Sequence, residues 1–137
     1  MNNAQPCWKL ERRGSIALLA FERPPINMLS FVAVGELYRA LCALEGDPQV
    51  SVIVLTGRVP GYFVAHIDLD DVGRLARREP PEGDPDDFGR ATAKLESMRQ
   101  PTVAAVNGQA WGAGCELALA CTFRLASQSA HFRLHEV

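Results

Sequence analysis

The sequence predicts an α/β fold, a layered sheet whose strands are joined by right-handed crossovers. Two observations carry that prediction. Apolar runs at 50–56 and 102–106 have the composition of parallel strands covered on both faces. Stretches of helical period lie between and after them, so strand and helix alternate along the chain.

Residues 8–13 and 15–22 read as two short strands meeting at Gly14, a hairpin, and Pro24-Pro25 stops the second. Ser30 suits the N-cap of an amphipathic helix in which Val34, Leu37, Tyr38 and Leu41 share one face. Gly46-Asp47-Pro48 ends that helix, and the strand at 50–56 follows. A turn at 57–61 leads into 62–72, where small residues give way to a helix. At 74–89 charges and prolines replace apolar residues, too polar a mixture to build core. A mobile, solvated surface connection is expected there. Helical period resumes at 88–98, and the strand at 102–106 comes next. A small-residue bend then runs from Asn107 to Gly114, with a helix from Cys115 and two closing strands at 122–126 and 130–134.

A chain of 137 residues can build one domain with a modest core. Because its last predicted element is a strand with no helix to cover it, 1–137 reads as half of a domain. The net charge of −2 provides no basic field for nucleic acid, and no apolar run reaches the length of a membrane span. The N-terminus lacks the features of a signal peptide, so the expected setting is cytoplasmic. Cys7, Cys42, Cys115 and Cys121 sit in apolar contexts without C-x-x-C spacing, as free buried thiols in a reducing compartment would. His66, His131 and His135 also lack ligand spacing, and no metal is expected.

The bend from Asn107 to Gly114 is the most informative stretch. A strand that passes through small residues into a helix presents unpaired N–H groups and the positive end of the helix dipole. Such a place suits an anion, or an oxyanion that exists only in a transition state. Glu116 lies in the first turn, where a carboxylate can carry a proton for a group held at the bend, or can simply complement the dipole. A dinucleotide site across Gly108, Ala110, Gly112 and Gly114 fails the fingerprint spacing and lacks the acidic residue that should follow.

Three stretches together resemble the crotonase (enoyl-CoA hydratase/isomerase) superfamily. They are Val52-Ile53-Val54-Leu55-Thr56-Gly57 leading to Phe63-Val64-Ala65-His66-Ile67-Asp68-Leu69, then Pro101 to Gly108, then Trp111 to Cys121 continuing into Phe123-Arg124-Leu125-Ala126. Arg23-Pro24 and Asn27-Met28-Leu29-Ser30 fit the same pattern. The resemblance implies a ββα spiral, here lacking the C-terminal helical part, that binds an acyl-CoA thioester and holds its enolate between two backbone N–H groups. On this chain those donors fall on Ile67 and Ala113, where the family usually has Ala and Gly. Met28, Ala65, Ile67, Asp68, Leu69, Gly112 and Ala113 are the implied substrate-binding positions. His66 replaces a usual Gly and His135 a usual Pro.

The resemblance also implies two acidic residues, Glu116 to orient and activate water and Glu136 to deliver a proton to the α-carbon. Outside the resemblance, Glu136 would read as a solvated residue at a strand end. The implied activity is hydration of a 2-enoyl-CoA, with no cofactor beyond the CoA of the substrate. Double-bond isomerisation, other acyl-CoA chemistry of the superfamily (hydrolysis, decarboxylation, dehalogenation) and non-catalytic CoA-ester binding stay open. The implied partner is the acyl-CoA itself, with no nucleic acid and no membrane, and the implied assembly of a full-length chain is a homotrimer or hexamer.

Overall fold

A computed structural model describes residues 5–135. Strands β1 (Trp8–Arg13) and β2 (Ile16–Phe21) form the expected antiparallel hairpin, with Gly14 in the left-handed region at φ 59°. Helix α1 (Phe31–Glu45) starts where Ser30 accepts a hydrogen bond from the Ala33 N–H, and its Leu37 and Leu41 are fully buried. Strand β3 (Val52–Gly57) and strand β4 (Tyr62–Val64) follow, then helices α2 (Leu69–Ala76) and α3 (Asp87–Ser97). Strand β5 (Thr102–Val106), strand β6 (Gln109–Trp111), helix α4 (Ala113–Ala120), strand β7 (Phe123–Ala126) and strand β8 (His131–Arg133) complete the order.

Two sheets result. The larger has strand order β1-β2-β3-β5-β7, parallel from β2 onward, and the smaller is β4-β6-β8, parallel throughout. Each turn of chain therefore adds one strand to the large sheet, turns a corner, adds one to the small sheet and then returns. That is a ββα spiral. Its corners are stitched together: the Asn107 side-chain amide donates to the Gly57 carbonyl at 2.7 Å and accepts from the Gly57 N–H at 3.2 Å, continuing the ladder between successive turns.

Five expectations need correction. The central strands are not covered on both faces: Ile53 and Leu55 of β3 are buried while Val52 and Val54 are only partly so, and β5 alternates in the same way. Strand β6 lies inside what reads as a bend; three residues are too few for a period to declare, and β4 and β8 on either side supply the pairing. Helix α4 begins at Ala113, two residues before the expected start. The polar connection is shorter than 74–89, because α2 extends to Ala76 and α3 begins at Asp87. Ion pairs Arg77–Glu79 at 2.7 Å and Arg90–Asp84 at 2.7 Å organise what is left. Cys115 and Cys121 are buried as expected, but Cys42 is exposed.

Burial is uneven. Phe21, Leu19, Ile53, Leu55 and Phe63 form a closed core beneath α1, whereas β7 and β8 are exposed along their whole length, with Phe123 59% and Leu125 66% accessible. Among the described residues no helix is long and apolar enough to cross a membrane.

Candidate active site: a cleft between two backbone bends

The first bend joins β4 to α2 and is laced to the segment after β2. Buried Asn27, at φ 55°, donates its amide to the Phe21 and Phe63 carbonyls at 3.1 and 3.0 Å and accepts from the Arg23 N–H at 2.8 Å. Leu29 forms a parallel bridge with Ile67: its N–H donates to the His66 carbonyl at 3.0 Å, and its carbonyl accepts from the Asp68 N–H at 2.9 Å. In such a bridge the residue opposite Leu29 turns its own N–H and C=O to the other side. The Ile67 N–H accordingly has no hydrogen-bond partner among the described residues, and the Ile67 carbonyl accepts from His66 Nδ1 at 2.6 Å.

Asp68 closes the bend. One carboxylate oxygen caps α2 by accepting from the Asp70 N–H at 3.0 Å, and the other meets Arg23 at 2.6 Å. Arg23 also donates to the Met28 carbonyl at 3.0 Å. Asp71 on α2 reaches back to accept from the Phe31 N–H at 2.9 Å, placing a carboxylate at the start of α1 where the helix dipole favours it.

The second bend runs through β6 into α4. Gly112 makes the turn at φ 47° and ψ −119°, a conformation side chains avoid, and its N–H donates to the Arg133 carbonyl at 2.7 Å. Ala113 is the first residue of α4, so its N–H lies among those with no partner inside the helix. Gly114 packs directly on the end of β4, where an added Cβ would overlap the Val64 carbonyl oxygen. That close approach is what sets the two bends side by side.

Between them opens a cleft of about 840 Å³. It is lined by His66, Ile67, Ala113, Glu116, Trp111 and His135. The rest of the lining is apolar: Leu69, Val72 and Leu75, spaced along one face of α2, together with Phe31, Pro85 and Phe88. His135 meets the Trp111 ring edge-on at 6.0 Å, and the Arg133 guanidinium lies 5.9 Å from the same ring.

Of the positions singled out in the sequence, Ile67, Leu69, Ala113 and Glu116 line this cleft. Met28, Ala65, Asp68 and Gly112 stand behind it as supports: Ala65 and Asp68 are buried, Gly112 is the hinge, and the Met28 carbonyl is taken by Arg23. Glu136 lies outside the described residues. Sequence reading missed Trp111, Phe31, Pro85, Phe88 and, on the α2 wall, Val72 and Leu75. The apolar spacing of 69, 72 and 75 was a usable signal for that wall, but Pro85 gave none, sitting in a charged connection that looks purely solvated.

Residues 11–137 match the family model described as enoyl-CoA hydratase/isomerase. The chain is 37% identical over 133 residues to crotonyl-CoA hydratase of Syntrophomonas wolfei, covering 93% of this chain and 49% of that one. It is 33% identical to short-chain-enoyl-CoA hydratase of Clostridium acetobutylicum, with the same coverage. Among solved structures, DspI of Pseudomonas aeruginosa superposes with a TM-score of 0.84 at 29% identity, covering 99% of this chain and 55% of that one. An enoyl-CoA hydratase from Bacillus anthracis gives 0.82 at 27% identity, covering 95% and 51%. The chain thus spans about half the length of the curated relatives it matches. With this spiral and these matches, the chain belongs to the enoyl-CoA hydratase/isomerase family.

Proposed function

We propose that this protein adds water across the double bond of a 2-enoyl-CoA. The observation that carries the reading is the pair of unpartnered N–H groups, Ile67 and Ala113, lining one cleft with the carboxylate of Glu116. Hydration moves negative charge from an incoming water onto the thioester oxygen. Two fixed N–H donors stabilise that charge as it develops, each contributing about 2.7–4 kcal/mol to the barrier reduction. Glu116 orients and activates the water for attack on the β-carbon, and Glu136, the residue after His135, returns a proton to the α-carbon. Two carboxyl groups can divide these roles where their surroundings separate their protonation states. No group beyond the CoA thioester itself is required. The apolar wall of α2 suits the hydrocarbon part of the acyl group. A homotrimer or hexamer of the full-length protein belongs to the same proposal.

A double-bond isomerase is the second reading. It needs the same two donors and a single proton carrier, and Glu116 is the one carboxylate lining the cleft among the described residues. The test is loss of the conjugated thioester absorbance of crotonyl-CoA on incubation with the protein. The expected product is 3-hydroxybutyryl-CoA, formed about 10²–10⁴-fold more slowly by Glu116→Gln. A protein that leaves crotonyl-CoA unchanged but shifts the double bond of a 3-enoyl-CoA is the isomerase, and undiminished hydration by Glu116→Gln removes that residue from the mechanism.

A further inference from the structure

We propose that His66 is a proton carrier for the α-carbon of the bound acyl group, acting through Nε2. The inference rests on the reading above for the thioester oxygen, which sits on the Ile67 N–H, and it gives His66 the α-carbon proton that that reading assigns to Glu136. A carbonyl can only accept, so the 2.6 Å contact from His66 Nδ1 to the Ile67 carbonyl places the ring hydrogen on Nδ1. The neutral ring then keeps its lone pair on Nε2. The N–H and C=O of one extended residue point to the same side, and for Ile67 both point away from Leu29. A ring held on the Ile67 carbonyl is therefore next to whatever the Ile67 N–H holds, and the α-carbon is two bonds from that oxygen. The ring also borders the cleft.

The bend supplies the rigidity such a role needs, because both neighbours of Ile67 are bonded to Leu29. Other ionisable groups are differently engaged. Glu116 faces the cleft from α4, and His135 enters from beyond β8, its ring against Trp111. Behind the bend Asp68 is bound by Arg23, and Asp71 by the Phe31 N–H.

The step is a proton transfer in balance. The α C–H bond breaks, its electron pair becomes the enolate on the thioester oxygen, and the proton forms a new N–H bond at Nε2. Reversal returns a solvent-exchanged proton to carbon. Saturated butyryl-CoA can undergo this exchange without any addition of water, so it isolates the step from hydration.

The experiment incubates the protein with butyryl-CoA in deuterated buffer and follows deuterium at the α-carbon by mass, with crotonyl-CoA hydration measured in parallel. His66→Asn keeps an N–H where Nδ1 stood and removes Nε2, while His66→Gln is the second variant. The expected result is measurable exchange by the wild type. Both variants should lose about 10²-fold or more of it and bind butyryl-CoA within about threefold of wild type by calorimetry. Wild-type exchange rates in either variant overturn the proposal, as does loss of exchange only in Glu136→Gln. A wild type that hydrates crotonyl-CoA without exchanging butyryl-CoA also overturns it and leaves the hydratase reading standing. A wild type that does neither removes both.

Discussion

The two bends that frame the cleft are built by opposite means. The first, between β4 and α2, is held from outside by hydrogen bonds and an ion pair from residues 23–31, nearly all to backbone atoms. The second, between β5 and α4, is held by closeness: added side chains at Gly108 and Gly114 would strike the backbone of Gly61 and Val64. A bend fixed through its backbone can vary its side chains, and the first bend carries an imidazole and a branched aliphatic chain into the cleft. A bend fixed by the absence of side chains cannot vary in that way. The difference teaches where this chain can acquire new chemistry: at 66 and 67, not at 112 or 114.

Breaking the second bend should have the largest effect. Gly114→Ala puts a methyl group into the Val64 carbonyl, which is backbone and cannot swing aside. Overpacking of this kind costs about 3 kcal/mol or more, seen as a lower urea midpoint together with loss of the acyl-CoA binding proposed above. Gly89→Ala is the matched control, because nothing lies within 4 Å of that position in α3. There alanine should raise stability by up to about 1 kcal/mol through helix propensity alone. If the two substitutions lower the midpoint equally, close packing is not what holds the second bend.

The first bend should break more gently. Asn27→Ala removes bonds to the Phe21 and Phe63 carbonyls and to the Arg23 N–H, and leaves alanine at φ 55°. The remaining lacing, Leu29 with Ile67 and Arg23 with Asp68, stays in place. A loss of about 2–3 kcal/mol is expected from buried groups left unpaired, with the proposed acyl-CoA binding weakened by calorimetry but α4 intact. Stability equal to wild type would show that the bend is held by its neighbours without this amide.

The same contrast explains what could be read from the chain alone. Close packing leaves a mark in composition: the small residues at 108, 112 and 114 after an apolar strand locate the second bend, and Glu116 with it, in the sequence itself. Lacing leaves almost none. Nothing local to Asn27, Leu29 or Arg23 announces that they bond residues some forty positions away, so the sequence shows His66 and Ile67 only as bulky departures from a pattern and not as groups with assigned directions. Strand β6 was hidden for a similar reason, its pairing being supplied by β4 and β8 rather than by its own three residues. The cap of α1 at Ser30 and the strands of the large sheet were legible, because Ser30 caps within its own turn and those strands carry recognisable apolar runs.

The smallest expected effect sharpens the comparison from the far end of α4. Cys121 ends that helix, and burial pushes its thiol up from an ordinary 9.0 to about 11, against a smaller lowering by the Thr102 hydroxyl and Arg124. The native state therefore resists ionisation where the unfolded chain does not. The stability this contributes is complete below pH 9.0 and is lost as pH rises through about 11. Urea midpoints should fall across that interval, and Cys121→Ala should remove part of the fall, the rest remaining with groups such as Cys7, which burial also raises, and Lys94, raised by its hydrogen bond to Glu45. Alkylation gives a second reading of the same seat. Exposed Cys42 should react first and Cys121 slowly, and in Gly114→Ala, where the start of α4 is pushed off β4, Cys121 should react faster while Cys42 does not change. An unaltered Cys121 rate in that variant would mean α4 keeps its place, and that the close approach at Gly114 does not seat the helix.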